Sequence, residues 1–165
     1  MKKIICLILS VLMLLSLAAC GGGEDTTGTT APAPAKELNL TETYTTITSG
    51  VTMPEMLQVS GDMLLDLYGI KGDDCKQLLV YICSNSLQAD EIWMIEAKDA
   101  AALETLKALA QSRIDQKDAE SITYSPAQNE VVKKAQIIVA GNYLVMICSP
   151  DVEAIAAAFR TAAGI

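Results

Sequence analysis

Two stretches of the chain have the length of β-strands and contain runs of consecutive apolar residues. They run from Glu91 to Lys98, with the apolar run at 92–95, and from Tyr143 to Cys148, which is apolar throughout. Side chains of a strand alternate between the two faces of a sheet, so an unbroken apolar sequence makes both faces apolar. A sheet of this kind has to be covered on both faces. We therefore expect a layered fold in which helices pack against a sheet.

Each of these stretches is predicted to be the second strand of a hairpin that leads into a helix. The first unit comprises a strand over 78–83, a loop over 84–90, the strand 91–98, and a helix capped by Asp99 that runs to about Lys117. The second comprises a strand over 135–140, a tight turn at Gly141-Asn142, the strand 143–148, and a helix from Pro150-Asp151 to about Ala163. These units predict an α+β fold with a mostly antiparallel sheet of about four strands, built from two hairpin-helix (ββα) units.

The two units correspond when the second is placed on the first. Leu144, Met146 and Cys148 then fall on Trp93, Ile95 and Ala97. We expect both helices to cover this common face. Their apolar stripes are Leu103, Leu106, Leu109, Ala110 and Ile114 in one helix, and Val152, Ile155, Ala156, Phe159 and Ala163 in the other. Duplication and convergence both explain the correspondence.

The opposite sheet face is also apolar and needs a cover of its own. Its residues are Ile92, Met94, Tyr143, Val145 and Ile147. A preceding helix, predicted from Pro54 to a stop at Gly69, is the expected lid. If that helix packs elsewhere, the face is open and is a candidate partner site, with Ile92, Met94 and Tyr143 as contacts.

The N-terminus carries the pattern of a secretory signal peptide over residues 1–19. Lys2 and Lys3 precede an apolar run, which is shorter than the ~20 residues that span a bilayer. Leu17-Ala18-Ala19-Cys20 then resembles the lipobox of bacterial lipoproteins, which implies that Cys20 is lipidated. We expect a chain that is lipid-anchored to the cell membrane on its extracytoplasmic face.

The segment after Cys20 is predicted to be a flexible tether over 20–52, ahead of a single domain over 53–165. Its first part is rich in Gly, Thr, Ala and Pro, a composition that cannot bury a core. The stretch from Leu38 to Ser49 is Thr-rich and is either an edge strand or a continuation of the linker.

Composition excludes several function classes. The 165 residues contain no histidine, which removes imidazole-based triads and the commonest zinc ligand. The net charge is −8, and loss of Lys2 and Lys3 with the signal would make it −10. This balance disfavours nucleic acid as a partner. No pattern calls for a cofactor or a metal, so we expect a protein that is not an enzyme.

Three cysteines remain after Cys6 and Cys20 are assigned to the leader and the anchor. They are Cys75, Cys83 and Cys148. An odd number leaves either one bridge with a free thiol or no bridge. We favour buried free thiols, because Cys83 and Cys148 lie in apolar strands.

A set of short motifs, taken in order, resembles the DUF4358 family of lipoproteins, which occurs mainly in Clostridia-type Gram-positive bacteria. The motifs are Tyr68-Gly69, Ala89-Asp90-Glu91-Ile92, Lys98-Asp99, Arg113, Tyr124-x-Pro126 and Gly141-x-Tyr143. The resemblance covers about Met53 to Phe159. It implies the outer leaflet of a single membrane, and the family has no assigned activity to transfer.

The candidate binding residues are Arg113 and Tyr124, with Pro126 shaping the loop beside them. Arg113 could hold a carboxylate of a ligand, or it could pair with an internal acid and pin the loop. Glu91 is expected at the end of the sheet in solvent. Two functions follow: an interaction or assembly module for an envelope protein, or a small-solute-binding lipoprotein with a polar pocket near Arg113 and Tyr124.

Overall fold

The computed structural model of the chain describes residues 36–165, apart from the side chain of Tyr124. The predicted signal peptide, Cys20 and the first part of the predicted tether lie outside the described residues. Within 36–165 the helices are α1 (Leu40–Thr48), α2 (Asp62–Tyr68), α3 (Ala100–Tyr124), α4 (Pro126–Val132) and α5 (Val152–Ala163). The strands are β1 (Met56–Val59), β2 (Cys75–Cys83), β3 (Glu91–Ala97), β4 (Gln136–Ala140) and β5 (Tyr143–Cys148). Of the helices described, none has the length and apolarity needed to cross a membrane.

The five strands form one sheet in the order β1-β2-β3-β5-β4, and each neighbouring pair is antiparallel. The two stretches that are apolar on both faces, β3 and β5, lie side by side in the middle. This position buries both of their faces, as their sequence predicts. The α+β class and the antiparallel sheet are confirmed, but the sheet has five strands rather than about four.

The extra strand comes from the segment that we predicted as a single helix between Pro54 and Gly69. That prediction is wrong, because the segment forms β1, a break at Gly61, and the short helix α2. Gly61 has a φ of +65°, a conformation that interrupts any helix. Gly69 ends α2 in the left-handed region, with a φ of +70°, so its predicted role as the stop is confirmed.

One face of the sheet is covered by α3 and α2. Trp93 and Met146 pack in one cluster with Leu103 and Leu106 of α3 and with Tyr68 of α2. Asp99 caps α3 as predicted, since its carboxylate accepts a hydrogen bond from the N–H of Ala102 at 2.8 Å. The helix runs to Tyr124, about two turns beyond the predicted end near Lys117.

The opposite face is covered by α5 and α1. Phe159 and Ile155 of α5 pack on Ile92 and Ile147, in a cluster that also holds Leu40 of α1. The prediction that α5 shares a face with α3 is therefore wrong. The prediction of an α2 lid on this face is also wrong, and the face is not open.

Topology explains why the two units diverge after their strands. β3 and β4 are parallel with β5 between them, so α3 and α4 form a crossover whose preferred hand fixes the face that they cover. Within residues 36–165 α5 does not connect to a further strand, so this constraint does not apply to it and it takes the face that α3 leaves. The correspondence between the units holds for their strands and ends at their helices.

Helix α1 lies where we predicted linker or edge strand. Asn39 caps it by accepting a hydrogen bond from the N–H of Glu42, and the ring of Tyr44 stacks on Tyr81 with centroids 4.1 Å apart. Its threonine hydroxyls donate to carbonyls one turn back, which satisfies them inside a helix: Thr43, Thr45, Thr46 and Thr48. The tether prediction is thus wrong for residues 40–48, which belong to the folded unit.

The segment before α1 is fixed to one end of the sheet by hydrogen bonds. The N–H of Lys36 donates to the carbonyl of Ala163 at 3.1 Å, and the N–H of Leu38 donates to the Tyr143 hydroxyl at 3.1 Å. The Gln77 side chain donates to the carbonyl of Leu38 and accepts from the N–H of Leu40. These bonds hold the backbone where it joins the domain.

Replacing a buried residue of α1 distinguishes a packed helix from a tether. We expect Ile47→Ala to lower the free energy of unfolding by about 2–5 kcal/mol, the usual cost of an Ile-to-Ala cavity. Thr45→Ala, on the exposed side of the same helix, should change it far less. Urea unfolding followed by the fluorescence of Trp93 measures both. Equal, small effects of the two variants would contradict the packing of α1.

Candidate functional site

Glu91, the first residue of β3, is the most deeply buried acidic side chain of the described residues. It is 1% exposed and shares a sheet face with Trp93. The prediction that it lies in solvent at the sheet end is wrong. A carboxylate this deeply buried needs several charged or polar partners to remain ionised.

Four donors from three residues surround the Glu91 carboxylate. Arg113 donates from Nε to Oε1 at 3.0 Å and from Nη2 to Oε2 at 2.9 Å. Lys117 donates from Nζ to Oε2 at 3.0 Å, and the indole Nε1 of Trp93 donates to Oε1 at 2.8 Å. We call Glu91 and its three donor residues, Trp93, Arg113 and Lys117, the ion cluster.

The lengths of β3 and α3 bring the cluster together. The chain turns back at Asp99, and the fourteen residues from there to Arg113 span about 21 Å of helix. The six residues from Ala97 back to Glu91 span about 20 Å of strand. Arg113 therefore stands level with Glu91, and Lys117 lies one turn further on the same side of the helix.

Electrostatics keeps the Glu91 carboxylate ionised. Burial alone would raise its pKa, but the hydrogen bonds and positive charges of Arg113 and Lys117 outweigh burial and lower the pKa below its ordinary value. The guanidinium carbon of Arg113 also lies 5.3 Å from the ring centroid of Tyr68. Two cations face one carboxylate, so the ion cluster carries a net charge of +1.

An open groove of about 270 Å³ lies beside the cluster. Its walls are the hairpin loop, the C-terminal half of α3 and the start of α4. They contribute residues 86–89, then Lys117, Glu120 and Ser121, then Ser125 and Gln128. Lys117 belongs to both places, because it lines the groove and its ammonium also donates to Glu91. We predicted a polar pocket near Arg113 and Tyr124, and Arg113 is not among the described residues that line this groove.

The three described cysteines are free thiols, as we favoured. Burial raises the pKa of the Cys148 thiol to about 11, and it raises the pKa of the Cys75 thiol to about 11 as well. Thiols in this state are poor nucleophiles. Among residues 36–165, no three acidic or cysteine side chains are grouped closely enough to hold a metal ion.

The structure places the predicted site residues in different environments. Arg113 pairs with an internal acid, which was the structural alternative to ligand binding. Ile92 and Met94 are fully covered by helices, and Tyr143 is buried with its hydroxyl bonded to Leu38, so none of the three offers a contact surface. The backbone of Tyr124 ends α3, and its side chain lies outside the described part of the structure.

Three of the residues that carried the family resemblance meet in this cluster or against it: Tyr68, Glu91 and Arg113. A comparison with known families matches residues 49–149 to DUF4358, a domain of unknown function. The chain belongs to the DUF4358 family. Its DUF4358 region holds all five strands and α2 to α4, whereas α1 and α5 lie outside the match. Searches of curated proteins and of solved structures gave no match.

Sequence reasoning missed Glu91 as the acid that pairs with Arg113, and Lys117 as the second cation on that acid. The usable signal was the four-residue spacing of Arg113 and Lys117, which places two cations on one side of a helix. Nothing local in the sequence showed that this side faces the first residue of β3.

Neutralising Glu91 tests whether the cluster holds the fold. We expect Glu91→Gln to lower the free energy of unfolding by about 3–5 kcal/mol, because two partly buried cations lose their counter-charge. Glu104→Gln, which breaks the exposed pair with Lys107, should cost at most about 1 kcal/mol. Urea unfolding of both variants makes the comparison. A Glu91→Gln chain as stable as Glu104→Gln would contradict the role of the cluster.

The lowered pKa of Glu91 also predicts how stability depends on pH. The stabilisation is fully present above the ordinary glutamate pKa of about 4.3 and is lost as the pH falls toward the lower pKa of the folded state. We expect the unfolding free energy of the wild type to fall through this acidic range more steeply than that of Glu91→Gln. Parallel curves for the two chains would contradict the ionised, paired state.

Proposed function

We propose that this chain is a non-catalytic lipoprotein of the cell envelope that binds another envelope protein through its β1–α2 surface. We define this surface as the large apolar side chains of β1 and α2 that are about half exposed: Leu57, Met63, Leu65 and Leu67. The observation that carries the proposal is their concentration within eleven residues. Exposed apolar clusters on otherwise polar proteins commonly mark partner sites.

The packing of α2 explains why these side chains stay outside. Leu64 and Tyr68 point into the core and occupy the inward side of this seven-residue helix. At about 100° per residue, Met63 and Leu67 lie on one flank and Leu65 on the other. The helix therefore carries Met63, Leu65 and Leu67 on its two flanks, outside the side that packs on the core.

Strand β1 adds a second means of binding. It is the edge strand of the sheet and pairs only with β2 within the described residues, so its outer backbone groups are available. A partner segment could extend the sheet there by strand addition, with the leucines giving apolar contacts. Leu57 lies opposite Ile82 in the register and thus on the face that α2 covers.

Charge indicates the kind of occupant. Glu55, Asp62 and Asp66 stand around the surface, and Lys71 is the single cation between Met53 and Asp74. A second copy of this chain would bring the same acids and would be repelled. An anionic lipid surface is disfavoured for the same reason. We therefore propose a protein segment with apolar side chains and flanking lysine or arginine residues.

A non-catalytic role agrees with the chemistry near the ion cluster. Glu91 is held as a carboxylate by two cations, and Cys148 beside it is buried and protonated. Neither group is poised to transfer a proton near neutral pH.

The lipid anchor is supported by the leader pattern and by Cys20, and it is tested by metabolic labelling. In a Gram-positive host fed labelled palmitate, we expect the wild-type chain to carry label and to sediment with membranes. Cys20→Ser should carry none, because the thiol that accepts the lipid is gone. Cys6→Ser is the matched control and should be labelled normally. A labelled Cys20→Ser chain, or an unlabelled wild type, would refute the anchor.

The β1–α2 surface is tested by photo-crosslinking of the full chain in cells. We expect a photoreactive residue at Leu67 to give adducts with a protein other than this chain, and one at exposed Lys133 to give none of the same mass. Met63→Asp, on the same flank of α2 as Leu67, should abolish the adduct by placing a charge in the contact, whereas Thr161→Asp should leave it unchanged. Self-adducts or lipid adducts alone, or adducts that survive Met63→Asp, would overturn this site.

A further inference from the structure

The groove beside the ion cluster offers hydrogen-bond donors in excess of acceptors. Gln88 lines it, and the Oε1 of Gln88 already accepts from the Cys83 thiol at 3.2 Å. Gln128 lines it as well, and its Oε1 accepts from the N–H of Ala89 at 2.8 Å. Each amide therefore has its carbonyl engaged, while its NH2 group has no protein partner among residues 36–165.

Lys117 adds a charged donor to these amides. An ammonium has three N–H bonds, and Lys117 uses one on Glu91. Its side chain is only 12% exposed, so water satisfies the other two bonds poorly. The ion cluster therefore places its net charge of +1 beside the groove.

The other polar side chains of the groove do not remove this excess of hydrogen-bond donors. The hydroxyls of Ser86 and Ser125 can serve as donors or acceptors. Ser121 is already used, since it donates to the carbonyl of Asp118 and accepts from Asn129. The one acid of the lining is Glu120, which is exposed and accepts from the Gln116 amide.

We propose that this groove binds a small carboxylic acid, whose carboxylate accepts hydrogen bonds from the Lys117 ammonium and from the side-chain amides of Gln88 and Gln128. Leu87 supplies apolar contact for the rest of the ligand. A phosphate fits less well, because it concentrates a charge of about −1.5 to −2 on one group, whereas each carboxylate group carries −1 and matches the single positive charge of Lys117. The volume of about 270 Å³ lies just below the usual ~300–1,000 Å³ of ligand sites, so the acid is small.

This site shares no residue with the β1–α2 surface and goes beyond the proposed partner binding. Lys117 connects the groove to Trp93, because both residues donate to Glu91. Trp93 is the single tryptophan of the chain. Its fluorescence therefore reports on the ion cluster, and hence on groove occupancy, in the full-length protein.

The test is a fluorescence titration of the purified full-length chain in detergent with succinate and with L-glutamate. The neutral diamide of succinic acid, inorganic phosphate and sodium chloride are titrated in parallel. We expect saturable changes with at least one of the two carboxylates and none with the diamide or the chloride. Lys117→Met breaks the link to Trp93, so its binding and that of the wild type are compared by titration calorimetry; the variant should bind roughly tenfold or more weakly, since a charge-assisted hydrogen bond is lost.

Two controls separate binding from loss of fold. Lys107→Met removes an exposed cation from the same helix and should bind like the wild type. Lys117→Met retains the bidentate Arg113 pair on Glu91, and its urea midpoint shows that it is folded. No saturable change with either carboxylate, equal binding of the diamide, tighter binding of phosphate, or equal loss in both lysine variants would overturn the carboxylate site.

Discussion

The buried charge of Glu91 constrains everything at its end of the sheet. An ionised carboxylate in that position needs more than one cation and a neutral donor, and α3 and Trp93 supply them. This requirement sets how far α3 must extend, which side of it faces β3, and where the hairpin loop can lie. The same requirement leaves Lys117 shared between the core and the groove. One desolvated charge thus links the packing of α3 to the shape of the groove beside the cluster.

Layering is the second constraint, and it acts through both apolar faces of β3 and β5. Neither face can stay bare, and the crossover between β3 and β4 assigns α3 to one of them. The remaining face is closed by α1 and α5, which come from the two ends of the described chain. Both of these helices lie outside the DUF4358 match, although they cover residues inside it. The family region and the folded unit therefore have different bounds.

Local signals in the sequence were enough for much of this fold. The strands at β3 and β5, the cap at Asp99 and the stop at Gly69 each depend on a few neighbouring residues. Three features depended on residues far apart or on competing local signals. Glu91 meets its cations 22 and 26 positions away. The threonines of α1 have strand propensity, yet burial of Leu40 and Ile47 makes that segment a helix. The face of α5 follows from strand order, which periodicity does not contain.

The hydrogen bonds at Lys36 and Leu38 have a mechanical consequence. They join the backbone to the end of the sheet where β2 and β5 begin, beside Gln77 and Tyr143. The groove lies at the other end, a strand length of about 20 Å away. A pull on the backbone at Lys36 would therefore enter the domain at the end of the sheet opposite the groove, so the load would pass along the strands before it reached the groove.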